Sequence, residues 1–284
     1  MVREFKLINE KGQEYSLMDI ENHCLLTDPS GLGYEYSTEY EQLGDTFITN
    51  LRRIEQGQIE GQANFLKYDN YKSMVDFIEQ SEKLKISYKV PLENGLKEYF
   101  KDVQIQSLSK TQIQTNGVIS ESIVFDCLSL WYEENTTIYE ITPQENEIRW
   151  DFRWDSRFTD YNSRSLSYIN KGHVEAPILV EMQGHLINPR IELYVEGQLY
   201  QTVPFNVEIQ EYEKLLYCTK EDSFYIRKQK TDGTLEDLFK DWVVDPANDN
   251  VIRLPKNRSC ELRLLADNDV LNAQITILAY YKAV

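Results

Sequence analysis

The residues able to do chemistry in this chain are numerous but poorly grouped. His173-x-Glu175 followed by Pro177 has the opening of a zinc deaminase signature. Its required Pro-Cys-x-x-Cys partner is missing, and a zinc site needs three or four nitrogen or sulfur ligands brought together. The three histidines, His23, His173 and His185, stand far apart in sequence. Gly31-x-Gly33 begins like a dinucleotide-binding loop, but Tyr36 occupies the place of the third glycine and no strand–helix–strand pattern surrounds it, so a tight turn is expected. There is neither a Gly-x-Ser-x-Gly elbow nor a His-Glu-x-x-His pair. Two acidic loops, Asp245 with Asn248, Asp249 and Asn250, and Asp267-Asn268-Asp269, lack the alternating oxygens, glycine and terminal glutamate of a calcium loop. With 47 carboxylates, some pairs would lie at glycosidase distance in any fold, so spacing nominates none of them. The expectation is a protein without catalytic residues, cofactor or metal.

One feature suggests a ligand. Residues 149–155, RWDFRWD, alternate strictly, which puts Trp150, Phe152 and Trp154 on one face of a strand and charges on the other. An exposed row of rings stacks on sugars. A buried row packs a sheet core or an interdomain seam, and the second reading is preferred.

These residues must be carried by mainly β elements. Glycine and proline are modest at 12 and 8, while tyrosine reaches 19 residues, a type suited to half-buried strands and interfaces. FKLINEKGQEYSLM reads as strand, turn, strand. Asp28–Gly31 is a second turn signal. Phe47, Ile48, Leu51 and Ile54 fit either helix or strand. One helix is clear: Tyr71, Met74, Val75 and Ile78 form the i, i+3, i+4, i+7 stripe, predicting a helix over 70–81 with Asp69 or Asn70 as its N-cap. Alternating strands follow at LKISYKVP and KDVQIQSLSK, a hairpin signal at Asn116–Gly117, and then SIVFDCLSLWY, an apolar run expected to be buried on both faces. Residues 133–148 are polar and contain Pro143, which marks a linker. The rest is a series of short strands about 8–12 residues apart, the spacing of an antiparallel sandwich, interrupted only at TLEDLFKDW.

The chain has 284 residues, a length that suggests two domains. The expected division is 1–142 and 143–284, with the boundary inside 133–150. The net charge of −17 argues against a dedicated nucleic-acid binder or a protein docking on anionic lipid, both of which need a basic footprint. The first residues lack the apolar run of a signal peptide, and no stretch has the roughly 18 apolar residues of a membrane span. Cys24, Cys127, Cys218 and Cys260 are scattered, so free thiols in a reducing compartment are expected.

Residues 41–90 resemble the N-terminal domain of siphophage distal tail proteins. Phe65 and Tyr68 end a strand, Tyr71 starts the helix, and Leu84, Ile86 and Tyr88 open the next strand. The following strand ending in Leu108-Ser109-Lys110, and SIVFDCLSLWY closing at Trp131, resemble the same family. In the second half Gly172, Pro177, Gly184 and Asn188–Pro189 resemble the start of the family's galectin-like sandwich, and VIRLPKNRSCELRLLADN its final strands. Lys256–Asn257 stands where many members carry a glycine, and the acidic excursion at 231–250 is longer than usual. The resemblance implies a fold: an N-terminal split β-sandwich with one helix and a C-terminal galectin-like β-sandwich. It also implies a role, a homohexameric hub ring at the tail tip, assembled in the host cytoplasm. Its implied partners are the tail tube protein on one side and a tail-associated lysin or fibre protein on the other, with receptor-binding protein carried outside. DNA would pass through the channel without specific binding. The rival expectations are a carbohydrate-binding module using Trp150, Phe152 and Trp154, and a cell-wall glycosidase.

Overall fold

The computed structural model describes residues 3–92, 95–111, 117–139, 163–246, 250–268 and 272–284. The chain is mainly β, with one α-helix among the described residues. It divides into two compact units, Met1–Glu133 with Tyr280–Val284, and Glu134–Ala279.

The first unit holds β1 (Glu4–Asn9), β2 (Glu14–Ser16), β3 (Leu25–Ser30), β4 (Tyr36–Leu43), β5 (Thr46–Ile54), β6 (Gln58–Phe65), α1 (Tyr68–Glu79), β7 (Leu84–Leu92), β8 (Gly95–Leu108), β9 (Ile119–Cys127) and the start of β10 (Trp131–Tyr139). All pairings are antiparallel. One sheet runs β2-β1-β7-β8-β10, the other β3-β6-β9-β8. β8 belongs to both. Its first part pairs with β7 from Leu92↔Gly95 to Leu84↔Val103, and its end pairs with β9 from Val103↔Cys127 to Leu108↔Ile123. A register shift between Ile105 and Ser107 marks a bulge, which lets one strand bend across two sheets. Leu7, Ile86, Ile59, Phe65, Phe125 and Trp131 are essentially inaccessible and form the centre of this core.

The expected helix is present as Tyr68–Glu79, and Met74 with the half-buried Tyr71, Phe77 and Ile78 packs on the core. Its N-cap differs from the expectation. Lys67 holds the capping position in extended conformation and no side chain caps the helix. Asn70 is instead buried, and its amide donates to the carbonyls of Glu21 (3.1 Å) and Ile20 (3.4 Å). A tertiary contact with the preceding loop outcompeted the local cap. The strand SIVFDC is also less buried than expected. Ile119, Glu121, Ile123, Phe125 and Cys127 are buried while their neighbours are not, because an antiparallel sheet covers one face only. Residues 133–139, expected as linker, continue β10; residues 140–148 lie outside the described residues.

The second unit contains β11 (Ser163–Ile169), β12 (Ala176–Gln183), β13 (Leu186–Ile187), β14 (Arg190–Val195), β15 (Gln198–Pro204), β16 (Glu208–Ile209), β17 (Lys214–Cys218), β18 (Tyr225–Gln229), β19 (Leu235–Asp237), β20 (Arg253–Leu254), β21 (Ser259–Leu265) and most of β22 (Asn272–Tyr281). Sheets β19-β18-β17-β12-β22 and β11-β21-β14-β15 face each other across one core. Ile178, Val180 and Met182 come from the first sheet, and Ile191, Leu193 and Leu262 from the second, all at period two. Each such side chain contributes roughly 1.5–3 kcal/mol on full burial. Glu196 and Gly197 turn β14 into β15 with φ of 52° and 81°, the two positive angles a type I′ hairpin requires. Asn257 adopts φ 56°, a left-handed position that asparagine tolerates nearly as glycine does.

Candidate assembly surface

One pair of strands in the first unit joins no other sheet among the described residues. β4 and β5 form a two-stranded sheet of their own, paired from Tyr36↔Ile54 to Leu43↔Thr46. The sequence builds this arm through its tip. Gly44 has φ 63° and Asp45 does not have a positive φ, the pattern of a type II′ turn, which matches strand twist. The Gln42 amide donates to the Gly44 carbonyl at 3.0 Å, and Thr46 Oγ1 to the Leu43 carbonyl at 3.0 Å. Between Glu39 and Tyr40 the register slips, leaving Asn50 as an extra residue that twists the arm. Eight residues of β4 at about 3.3 Å each give a reach of about 26 Å.

The exposed surface of the arm is in large part apolar. Tyr40, Leu43 and Phe47 are 64%, 66% and 68% exposed, with Ile48 and Leu51 close behind. The pairing register puts Tyr40 and Phe47 on one face and Leu43, Ile48 and Leu51 on the other. An isolated two-stranded ribbon is marginal in water. Apolar side chains on both faces of such a ribbon mark it as a segment that another surface must cover.

The base of the arm is held firmly. Gly31 sits at φ 76°, and a Cβ there would lie 1.7 Å from the Gln58 carbonyl oxygen. The buried Trp131 donates from Nε1 to the Leu32 carbonyl at 2.9 Å. The Arg52 guanidinium stacks 3.9 Å from the Tyr36 ring centroid, and Lys282 Nζ donates to Tyr36 Oη at 2.7 Å. The Glu55 amide donates to the Glu35 carbonyl at 3.0 Å, closing the neck. The arm is therefore aimed by the core. Sequence reading left residues 47–54 open between helix and strand and saw Gly31 only as a turn. The signal that could have found the arm was Leu43-Gly44-Asp45-Thr46 between two segments of strand-forming residues.

The other sequence candidates separate. Trp150, Phe152 and Trp154 lie outside the described residues. His185 Nε2 contacts Glu208 Oε1 at 2.8 Å, a surface pair that lowers the Glu208 pKa through its hydrogen bond. His23 stands edge-on to Tyr15, 4.7 Å between ring centroids. Among the described residues no three His, Cys, Asp or Glu side chains are grouped to hold a metal ion, and no helix is long and apolar enough to cross a membrane. All four cysteines are free and buried. Burial pushes the Cys24 thiol up to about 12. The buried Glu121 carboxyl group accepts the Thr111 amide at 2.6 Å and the hydroxyls of Thr111 and Ser109, a structural role.

Comparison with known proteins gives three findings. Residues 4–128 match the family described as "Distal tail protein, N-terminal domain". A stretch of 148 residues is 28% identical to the distal tail protein of Lactococcus phage SK1, and equally to that of Lactococcus phage p2. It covers 50% of this chain and 49% of each relative, so the match spans about half the length of the curated relatives. In fold, the whole chain is similar to a protein of the phage P2 baseplate in its activated conformation with calcium, with a TM-score of 0.68, 16% identity and full coverage of both chains. It is also similar to the SPP1 Dit protein, described as a hub adsorption apparatus of phages infecting Gram-positive bacteria. There the TM-score is 0.57 at 10% identity, covering 96% of this chain and 98% of that one.

Proposed function

We propose, from the match of residues 4–128 to the distal tail protein N-terminal domain family, that this chain is a structural component of a siphophage tail tip, a baseplate hub that assembles as a closed homohexameric ring. The observation that carries the reading is the arm: a rigidly aimed β-ribbon with five large apolar side chains exposed on its two faces. These side chains are 44–68% exposed, so covering them supplies roughly 4–9 kcal/mol per arm at the usual value of burial. That is the scale of the entropy cost of association, about 4–15 kcal/mol. An arm that reaches to a different surface on the next copy makes a head-to-tail contact, which builds a ring when the rotation between copies closes and an open filament when it does not.

In this reading the domains are 1–142 and 143–284. The first domain joins the tail tube protein above and a tail-associated lysin or fibre protein below. The second carries receptor-binding protein. DNA crosses the ring without specific contacts, which a net charge of −17 per copy favours by repulsion. The protein has no catalytic role and resides in the virion after assembly in the host cytoplasm.

Native mass spectrometry of the full chain tests the ring, with a second sample containing the tail tube protein. Hexamers, or paired hexamers, are the expected species. Replacing residues 37–53 by a short Gly-Ser turn should leave folded monomers. A full-length chain that stays monomeric in both samples refutes the reading, as does an arm-truncated chain that still forms rings.

A further inference from the structure

A ring built head to tail needs a second surface, on the neighbour, that complements the arm. Resting on the hub reading above, we propose that the distal part of the arm docks on the platform formed by Leu66, Lys67, Tyr68, Lys72 and Lys110 of the next copy.

The arm defines what it needs. From Ser37 to Leu51 it carries Glu39, Glu41 and Asp45 and no lysine or arginine. With Tyr40, Leu43, Phe47, Ile48 and Leu51 it is apolar and acidic together. Its seat must be apolar and basic, a combination scarce in a chain of net charge −17.

The start of α1 supplies that combination. Leu66 and Tyr68 are 44% and 48% exposed. Tyr68 stacks on Tyr71 at 6.1 Å, and Tyr71 is itself wedged edge-on against the buried Phe65 at 5.4 Å, so the exposed ring has a fixed base. Lys110 Nζ donates to Tyr68 Oη at 3.1 Å and lies over both rings, 4.8 and 5.6 Å from their centroids. Lys67 and Lys72 are exposed and form no ion pair among the described residues. The only acid from Leu66 to Ser73 is Asp69. The N-terminus of α1 has no side-chain cap, so the first amides of the helix still face outward with their partial positive charge. A glutamate of the arm provides the missing acceptor.

The contact is made between copies and not within one. Tyr40 and Phe47 on the arm and Tyr68 on the platform are all exposed in the single chain, so there neither surface covers the other. The two surfaces differ from each other, as a closing head-to-tail contact requires. Exposed tyrosine with a lysine over its ring is also the kind of anchor that concentrates interface energy.

The test is a photo-cross-link in the otherwise unaltered full chain. Benzoylphenylalanine replaces Phe47, and light and heavy isotope-labelled chains are mixed before irradiation. Light-to-heavy links from position 47 to residues 66–72 or 110 are expected. Links to any other part of the second copy, links only within one copy, or no link at all overturn the proposal. A charge-reversal series gives an independent reading. Lys67→Glu with Lys110→Glu should weaken assembly about tenfold, as should Glu39→Lys with Glu41→Lys, while combining the four changes should recover most of the loss (tenfold corresponds to about 1.4 kcal/mol). Circular dichroism checks that each variant is folded. Rings that dissolve on arm truncation but keep full affinity in the lysine-reversed variant sink the docking site and leave the hub reading intact. Rings that persist without the arm sink both.

Discussion

Gly31 offers the sharpest test of how the core aims the arm. It lies at φ 76°, and a side chain there would put Cβ 1.7 Å from the Gln58 carbonyl oxygen and 2.9 Å from its carbonyl carbon. Both atoms are backbone at the start of β6, and a backbone cannot swing aside as a flexible side chain would. Gly31→Ala therefore meets two costs. The left-handed conformation costs a residue with a Cβ about 1–2 kcal/mol. Separating the neck of the arm from β6 is overpacking, about 1–3 kcal/mol. The sum, about 2–5 kcal/mol, is a large part of the 5–15 kcal/mol that typically holds a domain together. Gly33 is the internal control: nothing lies within 4 Å of its added Cβ and its φ is not positive. Gly33→Ala should change stability by less than about 1 kcal/mol, and toward greater stability if the unfolded chain loses freedom. Urea unfolding of the full chain followed by circular dichroism reads both. The first transition should move to clearly lower urea for Gly31→Ala and stay in place for Gly33→Ala. Equal midpoints for the two variants would refute the close-approach argument.

Further outcomes follow from the same geometry. Trp131→Phe removes the bond from Nε1 to the Leu32 carbonyl and shrinks a fully buried ring, so it should cost about 1–3 kcal/mol for the bond with a further cost for the space left behind, and speed amide exchange most in residues 32–56; uniform exchange across the first unit would count against an anchoring role. Cys24 is held protonated by burial, with a folded-state pKa of about 12 against an ordinary 9.0. A raised pKa stabilises the fold fully below pH 9, and that contribution is lost as pH rises toward 12, so thiol labelling at pH 8 should be slow until urea unfolds the chain. Fast labelling of Cys24 in native protein contradicts the burial shown. Duplex DNA should not bind at near-physiological salt, because 47 acidic side chains against 30 basic ones leave a net charge of −17 that repels phosphates; a gel shift at micromolar protein would contradict this.

What the sequence determined is the set of local and compositional features that repeat a simple pattern. The stripe of Tyr71, Met74 and Ile78 specifies α1 because a helix puts those positions on one face, and the structure has that helix at Tyr68–Glu79. Alternation along LKISYKVP and the turn at Glu196–Gly197 specify strand and hairpin for the same kind of reason. The ordered series of Tyr68, Tyr71, Tyr88 and Trp131 was enough to suggest the family.

Only the tertiary structure decided the rest, wherever a residue's role depends on what lies across from it. Asn70 looks like a cap and is spent on the Ile20–Glu21 loop. SIVFDC looks buried on both faces and has one face covered. Gly31 looks like any turn glycine until Gln58 comes against it. The arm is the clearest case. Phe47, Ile48, Leu51 and Ile54 fit a helix stripe as well as a strand, since a short apolar run satisfies both periods. The pairing of β4 with β5 made them a ribbon. The absence of any third strand beside it among the described residues left their side chains facing outward, where another surface can cover them.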